Sequence, residues 1–403
     1  MIDVLVVSQS CLTAINRVPF RMLRDRGWNV ELVVPDRFRA AGFDRPADPP
    51  TADDPPIHFR PIRSGHPRLW TYEGLDRLLD ERRPRIVYTD VDPGSRLALE
   101  MGWWARRNGG HLACLSCDNM PRTLLGELRR SPGSAVRFLT TRALGTAARL
   151  VVDHVFAISH DIEAVMTTIG FGRRVSVIPL GFDATLFRPD PAARQRVRDR
   201  LGLRETTVAY FGRLIPEKGV HRLIDALAEL KDTPWQLMID EFKEYDHPYV
   251  RQIREQIDRV GLSDRIVYFD ATHDEMPMYM NAADIVVVPS ESNPAWKEQY
   301  GRVAPEAMAC GRTVITSNCG ALPELVGDAG IIVPEANVGA LRDAIAKAMA
   351  DPALRESLGR AAVERAHTRL SVTQQVQGMH EVFSRWARPS AVTPPLEAVG
   401  VTP

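Results

Sequence analysis

Two carboxylates, Glu298 and Glu306, stand with seven residues between them in the stretch WKEQYGRVAPEAMACG at positions 296–311. Residues 285–289 (IVVVP) form a short apolar run suited to a buried parallel strand, and Pro305 suits the first turn of a helix, where its missing N–H costs nothing. Gly311 closes that helix. The segment therefore reads as strand, loop, helix, with unbonded N–H groups and a partial positive charge at the helix start. Anions bind in such places. Glu306 can accept hydrogen bonds from a vicinal diol such as a ribose, and Glu298 can do the same for a second polyol. Either glutamate alone reads as a solvated loop residue, but the two in this frame read as a binding site.

Residues 208–219 (VAYFGRLIPEKG) read as an apolar strand opening into a turn at Gly212, with Arg213 and Lys218 on either side of a proline. The chain holds 51 Lys plus Arg, yet only five are Lys and none precedes Lys218, so this lysine stands out. An arginine forks onto phosphate oxygens and a lysine acts as a compact charge, so the pair can neutralise the charge that grows on a departing diphosphate. By itself the turn reads as a solvated surface. Beside the paired carboxylates it reads as part of their site.

Residues 298–311 resemble the E-x7-E signature of the retaining glycosyltransferase family 4, usually E-G-F-G-x-x-x-x-E-A-M-A-C-G, with Gln299 replacing a glycine and Tyr300 a phenylalanine. Residues 208–219 resemble the G-R-x-x-x-x-K-G segment of that family, and residues 179–190 (PLGFDATLFRPD) resemble its N-G-V-D-x-x-x-F-x-P linker. The resemblance implies the GT-B fold, an α/β architecture of two Rossmann-like domains with parallel sheets facing a central cleft. It also implies a nucleoside-diphosphate sugar as donor and co-substrate. By the same resemblance Arg213 and Lys218 grip the diphosphate and Glu298 contacts the donor sugar, the three together forming the catalytic set. Glu306 holds the ribose, and Gly212 with the backbone of Tyr300, Gly301, Arg302 and Val303 completes the donor-binding set.

The departures from that family carry expectations too. Its glycine pair after the first strand is replaced by residues 8–16 (SQSCLTAIN), and its glycine-rich turn after the second strand of the second domain by Asp240, Glu241 and Phe242. Its histidine after the fourth strand is missing from residues 115–122 (LSCDNMPR), so no general base is assigned there. Asp118 and Asn119 stand as candidates for acceptor hydroxyls, with a turn or helix cap as the other reading. Asp92 belongs to a D-x-D at positions 90–92, a pattern that elsewhere holds a divalent metal. With Arg213 and Lys218 available for phosphate no metal is needed, so the D-x-D reads as a strand-end turn with acceptor contact as the lesser role.

These loops need a scaffold. Apolar runs at 4–7, 30–34, 85–89, 111–115, 155–159 and 175–179 alternate with helical patterns, and a second set follows at 207–211, 236–239, 265–269, 285–289, 313–316 and 330–333. Strands spaced by helices predict parallel sheets with right-handed crossovers. The expected division is an acceptor domain at 1–185, a donor-binding domain at 186–373, and a last helix near 374–388 that returns to the first domain. Turn and helix signals put the hinge within 181–204, and residues 44–56 (DRPADPPTADDPP) read as an exposed loop. The proline-rich stretch at 389–403 reads as a disordered tail.

A length of 403 residues suits two domains, and 25% charged with 44% hydrophobic residues is ordinary globular composition. The formal net charge of zero gives no global argument for nucleic acid or for an anionic membrane surface, and no nucleic acid partner is expected. Five cysteines, an odd number set among apolar runs, fit a reduced compartment, and Cys114 and Cys117 read as core thiols because no second ligand pair completes a zinc site. His154, His160, His247 and His273 lack metal spacing. Residues 2–7 are too short to cross a bilayer and read as a first strand, so the expected location is the cytoplasm. The run Arg122–Arg149, with six arginines against Glu127, reads chiefly as a solvated helix face, with peripheral contact to the inner face of a membrane as the second reading.

The function expected is transfer of a hexosyl-type sugar to a hydroxyl on a glycan, glycolipid or small molecule, with no metal or resident cofactor. Two rivals are a nucleotide-sugar epimerase on the same fold and a non-catalytic nucleotide-sugar binding protein. Base recognition is expected near residues 270–276 (DATHDEM).

Overall fold

The computed structural model describes residues 2–40, 43–63, 69–120, 131, 133, 142–240 and 248–390. It divides into two compact units, one built from Met1–Ile158, Ile162–Ile178 and Gln375–Pro403, the other from Ser159–Asp161 and Pro179–Gln374. Glu241, Phe242, His247, Glu127, Arg122, Arg129, Arg130, Arg137 and the tail beyond Ser390 lie outside the described residues.

The first unit holds β1 (Val4–Val7), β2 (Val30–Pro35), β3 (Arg37–Ala40), β4 (Phe43–Pro46), β5 (Ile57–Arg60), β6 (Ile62–Arg63), β7 (Thr71–Tyr72), β8 (Ile86–Thr89), β9 (His111–Ser116), β10 (His154–Ala157) and β11 (Val175–Val177). Seven of these form one parallel sheet in the order β11-β10-β9-β8-β1-β2-β5. β1, β8 and β10 are buried along their whole length, which is why they read as unbroken apolar runs. The two remaining pairs, β3 with β4 and β6 with β7, are antiparallel ribbons. The described residues from Gln375 to Ser390 return to this unit, where Phe383 meets Trp28, Tyr88 and Phe156 at centroid distances of 5.9, 6.4 and 6.1 Å. Ser390, at the start of the expected disordered tail, donates its N–H to Asp3 Oδ2 at 2.8 Å.

Residues 44–56 are mostly exposed, as expected of a loop, with two departures. Their first residues pair in β4, and Asp54 turns inward, its side chain only 2% exposed, to meet Arg17 Nη1 at 3.0 Å and Arg21 Nε at 2.7 Å. Arg17 is itself fully buried and also donates to the carbonyls of Cys11 and Pro49, so the segment is closed down by a charge that needs a counter-charge.

The second unit holds β12 (Thr206–Tyr210), β13 (Trp235–Asp240), β14 (Ile266–Phe269), β15 (Ile285–Val288), β16 (Thr313–Ser317) and β17 (Ile331–Val333), all parallel, in the order β14-β13-β12-β15-β16-β17. Counted within the unit that order is 3-2-1-4-5-6, the doubly wound arrangement whose ligands sit beyond the carboxyl ends of the two strands where the order reverses. Those strands are β12 and β15. The segment expected as a hinge contains the helix Pro191–Leu201, started by Asp190 accepting from Ala193 N at 2.8 Å and built into this unit by Arg194 and Arg198 on Asp284. Among the described residues no helix is long and apolar enough to cross a membrane.

Candidate functional site

Beyond β12 the chain runs through Gly212 and Arg213 to Lys218, and beyond β15 through Ser290 and Glu291 to Glu298. Neighbouring strands therefore deliver both predicted segments to one place. The two loops touch directly: a Cβ on Gly219, where φ is +66°, would lie 1.9 Å from the Pro289 carbonyl oxygen, so only glycine fits. Glu291 N donates to Glu217 O at 2.9 Å, and Asn293 Nδ2 to Glu217 Oε1 at 3.1 Å.

Across this seam Lys218 Nζ lies 2.5 Å from Glu298 Oε2, which also accepts from Ser290 Oγ at 2.8 Å. Glu298 is 5% exposed, so it is no solvated loop residue. Its N–H points at Cys319 Sγ at 3.4 Å and its carbonyl accepts from Ala321 N at 3.2 Å. Trp296 places its ring 5.4 Å from Lys218 Nζ, within range of a cation–π contact.

Glu306 is 4% exposed and sits in the first turn of the helix Val303–Ala309. Arg302 Nε stands 3.5 Å from its Oε1. Burial pushes this carboxyl up to about 7, and the Arg302 charge pulls the other way. The helix is only seven residues long, so the anion-binding character expected of its start falls to individual N–H groups. Among the described residues the N–H groups of Gly301 and Val303 make no hydrogen bond. Tyr300 is buried beneath them at 3% exposure.

Arg213 is half-buried, and its side chain has no hydrogen bond or ion pair among the described residues; its carbonyl accepts from Tyr210 Oη at 2.8 Å, which fixes the backbone. A half-buried guanidinium without a carboxylate is a receptor for an anion. The unit thus holds a lysine shared with one carboxylate, a second carboxylate shared with an arginine, and a further arginine with none. Together they can bind a polyanion carrying hydroxyl-rich groups.

Asp92, Asp118 and Asn119 lie in the other unit, beyond β8 and β9. Ser116 Oγ donates to Asp92 Oδ1 at 2.6 Å and accepts from Asp118 N at 3.3 Å, so one serine joins the two aspartates. Asn119 is 2% exposed. Asp90, the other half of the D-x-D, takes Ser8 Oγ at 2.6 Å, Gln9 N at 3.2 Å and Ser10 N at 3.0 Å, and so shapes the loop after β1. The pair diverges, and among the described residues no group of three metal-ligating side chains occurs.

Several partners went unread in the sequence. Ser290, Cys319 and Ala321 hold Glu298 in place, and Glu291 joins the two loops, yet none lies within a pattern that marks it. Asp240 is buried at the end of β13. Cys114 is buried and Cys117 partly so, both thiols pushed up by burial, in keeping with core thiols. In the 270–276 segment Glu275 folds back onto Thr272, taking its N–H and hydroxyl at 3.0 Å each.

A family model described as glycosyl transferases group 1 matches residues 193–365. The GDP-mannose-dependent alpha-(1-6)-phosphatidylinositol monomannoside mannosyltransferase of Mycolicibacterium smegmatis is 32% identical over 266 residues, 59% of this chain and 67% of that protein. The D-inositol 3-phosphate glycosyltransferase of Corynebacterium glutamicum (strain R) is 35% identical over 205 residues, 48% of each chain. The chain thus matches two thirds of the first relative and about half the length of the second. Among solved structures, Anabaena Alr3699/HepE in complex with UDP is 23% identical with a TM-score of 0.72, covering 95% of this chain and 100% of that one. WaaG, a glycosyltransferase involved in lipopolysaccharide biosynthesis, is 17% identical with a TM-score of 0.66, covering 94% and 99%. At these identities the likeness is one of fold, the GT-B arrangement of two Rossmann-like units.

Proposed function

Because this chain belongs to the group 1 glycosyl transferases, enzymes that transfer sugars, we propose that it is a retaining, metal-independent member of glycosyltransferase family 4 that moves a hexosyl-type sugar from a nucleoside-diphosphate donor to a hydroxyl. One observation carries the reading. Arg213, whose side chain has no partner among the described residues, and the Lys218–Glu298 pair stand on adjoining loops at the point where the strand order reverses. Arg213 and Lys218 receive the diphosphate, Glu298 a sugar hydroxyl and Glu306 the ribose diol, with the Gly301 and Val303 N–H groups completing the cradle.

In this reaction the C1–O bond to phosphate breaks with oxocarbenium character and the two cations stabilise the charge left on the diphosphate. The acceptor oxygen bonds C1 on the face just vacated, and its proton passes to the departing phosphate oxygen. No carboxylate has to attack from below, which suits a site whose carboxylates are occupied in holding cations and hydroxyls. The relatives named for GDP-mannose and for inositol-containing acceptors make GDP-mannose the first donor to try and a lipid-linked or inositol acceptor the first partner. Asp92, Asp118 and Asn119 are then acceptor contacts, and a cytoplasmic protein meeting the membrane through its Arg122–Arg149 stretch would reach such lipids.

Product analysis tests the proposal. The protein is incubated with GDP-mannose or UDP-glucose and phosphatidylinositol vesicles, in excess EDTA, and the products are read by NMR. An α-linked glycoside plus free nucleoside diphosphate supports it. A changed sugar still on its nucleotide would point to an epimerase, and bound but intact donor to a binding protein.

A further inference from the structure

We propose that His221, held between Tyr249 and Glu291, is a positioning residue that aims Lys218 at the donor diphosphate. The proposal rests on the reading of Lys218 given above. His221 follows Lys218 by three residues, in the first turn of the helix Val220–Ala228. Its Nδ1 lies 2.5 Å from Tyr249 Oη, and its backbone N–H donates to that same oxygen at 3.2 Å. Its Nε2 lies 3.1 Å from Glu291 Oε1, while Arg222 Nε takes the other carboxylate oxygen at 3.2 Å.

Nδ1 and the Tyr249 hydroxyl share one hydrogen bond, and the backbone N–H donates to the same oxygen. Nε2 faces Glu291 at ion-pair distance rather than along an aligned hydrogen bond. Tyr249 is 6% exposed and belongs to the helix Pro248–Arg259, so one end of the chain is anchored in the core. Glu291 is anchored at the other end, through its N–H on Glu217 O, in the loop that goes on to Glu298.

His221 therefore ties three segments together at the base of the Lys218 stem. A lysine has four rotatable carbons and loses about 2 kcal/mol of rotamer freedom when fixed, so what holds its base decides where its ammonium group stands. Glu298 fixes the tip of that stem, and the Tyr249–His221–Glu291 chain fixes the foot. A placement effect of this kind acts on the step where charge grows on the diphosphate, and so on kcat more than on donor binding.

The test compares His221→Leu, His221→Gln, Lys218→Ala and the double variant His221→Leu/Lys218→Ala, with nucleoside diphosphate release from GDP-mannose as the readout and UDP-glucose in parallel. His221→Leu is expected to lower kcat by about tenfold to a hundredfold, with the donor KM within about threefold of wild type. Glutamine keeps an N–H for Glu291, so His221→Gln recovers most of that loss. In the Lys218→Ala background His221→Leu costs nothing further. The inference is overturned if His221→Leu keeps wild-type kcat, if it raises KM alone together with a lowered melting temperature, or if its effect adds fully to that of Lys218→Ala. A Lys218→Ala protein with wild-type kcat overturns the reading of the site itself, and the inference with it.

Discussion

Lys218 Nζ and Glu298 Oε2 meet at 2.5 Å across two loops that leave neighbouring strands, and Ser290 Oγ shares the same oxygen at 2.8 Å. The Lys218 and Glu298 side chains are 19% and 6% exposed, so the pair is largely withdrawn from water, where attraction between charges is stronger and the loss of one partner is felt by the other. A donor that offers a diphosphate to the lysine and a hydroxyl to the glutamate has to take over both halves of this contact.

Glu298→Gln separates those halves. It keeps the shape and the Ser290 contact but frees the lysine charge. Binding of GDP alone is expected to tighten, while the extra affinity that GDP-mannose gains from its sugar falls by roughly tenfold, the worth of one hydrogen bond to a charged group. Calorimetry with both ligands on wild type and variant checks it. Equal losses for GDP and GDP-mannose would place Glu298 away from the sugar.

Glu306 makes stability depend on pH in an unusual direction. Its folded carboxyl is raised to about 7 from an ordinary value of 4.5, so between those values the unfolded chain gives up a proton that the folded protein keeps. The resulting penalty is absent below 4.5, grows as pH rises, and is complete above 7. Glu306→Gln should therefore gain stability over wild type by up to about 3 kcal/mol at pH 8 and by much less at pH 5, measured by urea unfolding. Donor binding has the opposite demand: the ionised carboxylate accepts the ribose hydroxyls, so affinity in the wild type should fall as pH drops through 7. A stability difference that does not change with pH would contradict the burial argument.

Arg213 offers a separation of stability from binding. Because its side chain has no partner among the described residues, Arg213→Met should shift the unfolding free energy by less than about 0.5 kcal/mol. GDP affinity should nevertheless drop tenfold to a hundredfold, in the range of about 1.5–3 kcal/mol for a charge-assisted contact. Thermal unfolding and calorimetry on the same preparation test both halves.

Gly219→Ala should act on both loops together. The added methyl carbon would meet the Pro289 carbonyl oxygen at 1.9 Å at a φ of +66°, so either loop has to move. A loss of about 2 kcal/mol or more in stability is expected, together with weaker GDP binding. A variant with wild-type stability and affinity would show that the loops do not depend on each other.

How much of this was legible beforehand follows from how far each contact reaches along the chain. The twelve long-sheet strands predicted from apolar runs are all present, because buried parallel strands leave unbroken stretches such as VLVV and IVVV. β5 escaped notice because Ile57–Arg60 is only half-buried and mixes charged with apolar residues. Arg213, Lys218, Glu298 and Glu306 were readable from their types, their turn glycines and their family spacing. Their surroundings were not. Ser290 and Cys319 reach Glu298 from eight and 21 residues away, and Glu291 reaches His221 from 70, so only the folded sheet shows them together. Residues 44–56 are largely the exposed loop that their proline and aspartate content suggests, but composition says nothing of the buried arginine that Asp54 must neutralise.

The central claim is that Arg213, Lys218 and Glu306 form a metal-free donor site, and the most direct measurement is calorimetric binding of GDP-mannose, GDP and UDP-glucose to wild type and Glu306→Ala, with EDTA and then with magnesium. One of these ligands should bind wild type equally well with or without magnesium, and at a hundred times its dissociation constant should raise apparent stability by about 2.7 kcal/mol. Glu306→Ala should lose most of that affinity. Binding that requires magnesium and is indifferent to Glu306→Ala, or no binding by any of the three, would contradict the account.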